Sequence, residues 1–123
     1  MVKIPPKRGY VYKVKINYAD RLAKPHEKHM VVVIQNNDML KQAKDINVVI
    51  ITSNLSHINA PFNVPLPANT LNNQPKESKI KCHALYVISR EDLENGEFCG
   101  EIPSNIMEEI DDAIIFSLGL IES

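Results

Sequence analysis

Four consecutive β-branched residues, Val31, Val32, Val33 and Ile34, run straight into three amides, Gln35, Asn36 and Asn37. Successive strand side chains point to opposite faces, so a short unbroken apolar run bounded by polar residues reads as a strand buried on both sides. The predicted strand is Met30 to Gln35. The segment before it, RLAKPHEKH, carries Arg21, Lys24, His26, Lys28 and His29 within nine positions. A buried strand therefore begins where a cationic, histidine-bearing loop ends. That is a way to hold titratable groups against a phosphate.

Other elements follow from the same periodicities. Tyr10, Tyr12, Val14 and Ile16 alternate with Val11, Lys13 and Lys15, which predicts a half-buried first strand. Asp38 to Lys44 reads as a short helix or a turn, and Asn47 to Thr52 as a third strand. Phe62 to Leu66 reads as an edge strand, because Pro61, Pro65 and Pro67 cannot sit in a central ladder. Pro67 to Glu77 reads as a loop. Lys79 to Ile88 alternates, with Ile80, Cys82, Ala84, Tyr86 and Ile88 on one side and Lys79, Lys81 and His83 opposite. Ser89 with Asp92 three residues on predicts one capped helical turn ended by Asn95-Gly96, and Glu97 to Ile102 one more strand. A final helix is expected to open with Ser104 as its N-cap and to end near Gly119. Its stripe of Ile106, Ile110, Ala113, Ile114 and Phe116 to Leu118 should lie on the sheet. The expected fold is α+β and mostly β: a strongly curved antiparallel sheet or small barrel with a C-terminal helix across it.

The 123 residues are expected to form one domain, 1–123, with a core that needs no disulfide or metal. No apolar stretch reaches the roughly 18 to 20 residues that cross a bilayer, and MVKIPPKRG lacks a signal-peptide apolar region, so a cytoplasmic location is expected. Cys82 and Cys99 are too few and too unpatterned for a zinc site or a disulfide framework and read as buried thiols. Net charge is only −1, yet residues 1–29 sum to +6 and residues 91–123 hold ten carboxylates with no Lys or Arg. Either a cationic face meets a polyanion, or the two segments fold together and neutralise.

RGYVYKV, VVVIQNN, VIIT, ESKIKCHALYVISREDL and an acidic helix ending in SLGLIES occur in an order and spacing that resembles the MazF/PemK (Kid) family of bacterial toxins. The resemblance spans nearly the whole chain. It implies an SH3-like or CcdB-like barrel, a homodimer, metal-independent cleavage of single-stranded RNA such as mRNA with no cofactor, and inhibition by a cognate antitoxin with an acidic disordered tail. It also carries Thr52 and Ser78 onto positions that the family keeps. The family's Arg-Pro falls instead on His29-Met30, its Glu five residues earlier on Lys24, its Glu-Gln pair on His83-Ala84, and its following Arg on Tyr86. Two other readings fit the same resemblance: a binding protein of this fold whose chemistry is lost, and a CcdB-like gyrase inhibitor.

Metal-free RNA cleavage requires a proton taken from the 2′-OH, stabilisation of phosphate charge, and a proton for the departing 5′ oxygen. An imidazole holds charge less permanently than an arginine but can transfer protons. His29 is accordingly one candidate catalytic residue, or else a solvated residue where the strand starts. Thr52 is a strand former on periodicity alone; the resemblance makes it the second catalytic candidate, its hydroxyl donating to phosphate. Arg21, Lys24 and Lys28 are candidate phosphate contacts, and Tyr18 a stacking platform for an unpaired base. Ser53, Asn54 and Ser78 are further RNA-binding candidates. His26 and His83 are expected to share the groove with His29, as an acid–base set rather than a metal site, since no carboxylate stands at ligand spacing. His57 reads as an ordinary loop residue.

Overall fold

The computed structural model describes residues 3–16 and 28–120. Six strands make one antiparallel sheet: β1 (Tyr10–Lys15), β2 (Lys28–Val33), β3 (Asp45–Thr52), β4 (Asn63–Leu66), β5 (Ser78–Ser89) and β6 (Glu97–Glu101), in the order β4-β5-β3-β2-β1-β6. The proline-bearing β4 lies at an edge, where Pro65 breaks no central ladder. The described residues also form three helices: α1 (Asn37–Leu40), α2 (Arg90–Glu94) and α3 (Ser104–Leu118). The sheet curls into a half-barrel, with α3 resting on β4 and β5.

Both faces of the sheet are buried, as the Val31–Ile34 run requires. Val32 faces a core built with Val11, Val49, Ile80 and Cys99, which α3 covers with Ile106, Met107, Ile110 and Ala113. Val31 and Val33 face the other core, with Tyr12, Val48 and Ile88, closed by Leu40 of α1 and Leu93 of α2. The strand starts two residues earlier than its apolar run suggests. Lys28 and His29 belong to the ladder, paired with Lys15 and Val14, because β1 extends far enough to hold them.

Each of the three amides has a structural task at the far end of β2. Gln35 Oε1 accepts from Asn47 Nδ2 at 2.7 Å and from Asn47 N at 3.2 Å, replacing the ladder where it stops. Asn36 caps α1 by accepting from Asp38 N at 2.7 Å. Asn37 Oδ1 accepts from Arg8 N at 2.8 Å. The opposite segregation of charge is used here too, since the Arg8 guanidinium pairs with Asp111 on α3.

The capped turn of α2 forms as expected, with Ser89 accepting from Asp92 N at 3.1 Å. Gly96 follows because a Cβ there would sit 2.5 Å from Val14 Cγ1 and 2.8 Å from the Lys13 carbonyl oxygen. The cap of α3 differs from expectation. Pro103, not Ser104, is the N-cap and makes no side-chain bond; its carbonyl accepts from Ile106 N at 3.0 Å and Met107 N at 2.9 Å. Proline has no N–H to satisfy and its fixed φ suits the chain's approach to the helix. The helical stripe also ends differently. Continued from Ile106, Ile110 and Ala113 it falls on Ser117, whose Oγ donates to the carbonyls of Ile114 and Cys82, while Phe116 and Leu118 point to solvent.

Both cysteines are buried free thiols. Burial, with a contribution from Asp111, pushes the Cys82 thiol up from about 9 to about 12. The folded chain therefore holds this proton more tightly than the unfolded one. Its stabilising effect is complete below about pH 9 and is lost as pH rises towards 12. Thermal unfolding midpoints measured from pH 8 to 11 should fall more steeply for the natural chain than for Cys82→Ala, whatever the offset between them at pH 8. Parallel profiles would refute this.

Candidate functional site

Antiparallel pairing brings four strand ends to one side of the sheet: β1 and β3 finish where β2 and β5 begin. Val14 pairs with His29, Met30 with Ile51, and Thr52 with Lys79. One further step along the β2–β3 register sets His29 beside Thr52. Both border an open cleft of about 340 Å³. Lys13 and Lys28 from the strands and Ser53 just beyond β3 also line it, and no carboxylate lines it among the described residues. Thr52 Oγ1 accepts from Asn54 N at 3.2 Å, which leaves its own proton to donate. The cleft thus offers fixed positive charge, an imidazole and a hydroxyl in one place.

The far wall is the loop from Pro67 to Glu77, which contributes Asn73, Gln74, Pro75 and Lys76. Gln74 is 4% exposed and organises that loop from within. Its Oε1 accepts from Thr70 N at 3.0 Å and Leu71 N at 3.1 Å, and its Nε2 donates to the carbonyls of Pro67 and Lys76, each at 3.0 Å. Asn69 and Asn73 take left-handed φ values of 64° and 58°, which asparagine tolerates better than most residues. This wall is what the sequence reading misses. The three asparagines and Pro75 mark a loop, but nothing in their spacing says where it folds.

The other candidates separate. Ser78 lines the cleft but is 4% exposed, and its Oγ donates to the Lys76 carbonyl at 3.0 Å. Asn54 is not among the lining residues; its Oδ1 accepts from Ser56 N at 3.0 Å in a local turn. His83 also lies away from the cleft, edge-on to the Phe62 ring at 4.5 Å, which corrects the expectation of a shared groove. β5 meets the cleft at Ser78, its first residue, and His83 stands five residues further along the strand. Burial, then the charges of Lys81 and Lys79, holds its imidazole below the usual value. Lys79 turns inward and donates Nζ to the Ser56 carbonyl. His57 adopts φ 57° and its carbonyl accepts from Asn63 Nδ2 at 2.7 Å. Tyr18, Arg21, Lys24 and His26 lie outside the described residues. Among the described residues no three His, Cys, Asp or Glu side chains gather as metal ligands.

A family model described as PemK-like, MazF-like toxin of type II toxin–antitoxin system matches residues 7–118. The chain belongs to this family. Solved MazF-like structures share the fold at low identity. An endoribonuclease from a mycobacterial species is 20% identical, with a TM-score of 0.73 and full coverage of both chains. Another, described as an endoribonuclease in complex with its cognate antitoxin from mycobacterial species, is 21% identical with a TM-score of 0.75, covering 96% of this chain and 99% of that one. A MazE–MazF structure from Deinococcus radiodurans is 15% identical with a TM-score of 0.71, covering 94% and 97%. No curated protein matches the sequence. Among the described residues of this MazF-like chain no helix is long and apolar enough to cross a membrane.

Proposed function

We propose that this MazF-like toxin is a metal-independent endoribonuclease acting on single-stranded RNA in the cytoplasm. The observation that carries the reading is that His29 and Thr52 border one open cleft lined by lysines and, among the described residues, by no carboxylate. The 2′-OH of a bound nucleotide attacks the adjacent phosphorus as it gives up its proton, and the P–O5′ bond breaks as the 5′ oxygen takes one. His29 is the proton-transfer group. The Thr52 hydroxyl donates to a non-bridging phosphate oxygen, and Lys13 and Lys28 offset the charge that gathers on it. The products are a 2′,3′-cyclic phosphate and a 5′-hydroxyl end.

The same cations suit the acidic tail of a cognate antitoxin, so inhibition is competition for the cleft. A homodimer belongs to this reading, supported by the exposed Leu85 and Val87 on one stretch of β5. Incubating the purified chain with a mixed-sequence RNA pool in the presence of EDTA should shorten the RNA and leave 5′-hydroxyl ends. Intact RNA at every pH from 5 to 9 would reject the reading. The non-catalytic alternative draws support from His83 lying off the cleft, and it predicts binding of that same RNA without cleavage.

A further inference from the structure

One phosphodiester carries a single negative charge, yet the cleft brings together Lys13, Lys28 and Lys76, with His29 beside them. The third lysine is held differently from the other two. Lys13 and Lys28 sit on paired strands, whereas Lys76 belongs to a loop and is fixed through its own backbone. Its carbonyl accepts from Gln74 Nε2 and from Ser78 Oγ, each at 3.0 Å, and both of those side chains are 4% exposed. Two buried polar groups converging on one loop carbonyl lower the conformational freedom of that residue before any ligand arrives. The Lys76 side chain is itself exposed, so what these bonds fix is the backbone from which it reaches the cleft.

We propose that Lys76 is a substrate-binding residue that seats an RNA backbone phosphate next to the scissile one, and that Gln74 and Ser78 are positioning residues acting through it. The proposal rests on the cleavage reading above. It reassigns Ser78 from RNA contact to support for Lys76. The remaining two lysines flank His29 and Thr52, so the cleft reads as one reacting phosphate plus at least one neighbour. Specificity would then come from the nucleotide held between the two seats, against Asn73 and Pro75.

The test is equilibrium binding of a mixed-sequence 2′-O-methyl RNA, which lacks the attacking hydroxyl, over a series of salt concentrations. Lys76→Ala should weaken binding about fivefold and reduce the slope of log K against log[salt] by about 0.7, the share of one phosphate on a single strand. Gln74→Leu should give much of the same loss in both, and Gln74→Leu with Lys76→Ala together should add nothing to Lys76→Ala alone. Where Gln74→Leu does not fold, Ser78→Ala takes its place. An unchanged slope in Lys76→Ala, or full additivity in the double variant, overturns the proposal. Cleavage by the natural chain is scored separately. RNA left intact while these binding losses stand rejects the cleavage reading and keeps the seat, and no RNA binding by the natural chain rejects both.

Discussion

His29→Ala is expected to slow RNA cleavage by about 10²–10⁴-fold, the usual effect of a positioned acid or base, while the chain stays folded. His29 is a partly buried residue at the start of β2, paired with Val14, and its backbone contributes to the ladder whatever its side chain. The variant should therefore keep a cooperative thermal transition. Binding of the 2′-O-methyl RNA should fall far less than the cleavage rate, because Lys13, Lys28 and Lys76 remain. Single-turnover rates and binding measured on the same preparations separate the two effects. His29→Arg sharpens the comparison, since it restores fixed charge without a group suited to proton transfer. A His29→Ala chain that cuts at the natural rate removes His29 from the mechanism.

Deleting Ala84 is expected to abolish stable folding. Between the pairs Ile50–Lys81 and Val48–Tyr86, β3 advances by two residues while β5 advances by five. The excess is three, an odd number, and an odd shift exchanges the faces of a strand. Ile80 and Cys82 thus enter the core under α3, whereas Tyr86 and Ile88, at the same parity, enter the core closed by α1 and α2. With the three-residue excess of the bulge kept, removing one residue slips the outer pairing by one and sets Val87 opposite Val48, which turns Tyr86 and Ile88 outward and brings Val87 in. Ile88 is 3% exposed, and losing the burial of one such side chain costs roughly 1.5–3 kcal/mol. The capped α2 turn, tied by Arg90 Nε to the Ala43 carbonyl at 2.8 Å, would be displaced with it. Against a total stability of about 5–15 kcal/mol for a typical domain, these losses together leave little native population. Circular dichroism and gel filtration report the outcome; a deletion variant with a cooperative transition near the natural midpoint would disprove the account.

Much of this architecture is legible in the chain because the driving patterns are local. The Val31–Ile34 run demands two covered faces, the prolines around β4 demand an edge, and Ser89 with Asp92 demands a helical start; each is found. His29 stands out in the sequence because a titratable residue adjoins a buried strand, whereas Thr52 is marked by the family resemblance and not by its periodicity. His83, expected in the same groove from the barrel, lies elsewhere, edge-on to Phe62.

The primary structure by itself determined which segments are strands and helices, and which side chains are apolar enough to be buried, because periodicity and capping act over a few residues. Tertiary structure alone decided the rest. The odd register excess in β5 assigns one alternating strand to two cores, and a three-residue shift leaves no mark on a pattern of period two. Antiparallel order brings His29 and Thr52 to the same end of the sheet. The Gln74 side chain folds the 67–77 loop over them, carrying Lys76 to the cleft. Such convergence depends on hydrogen bonds between residues whose spacing is irregular, so only the folded chain reveals it.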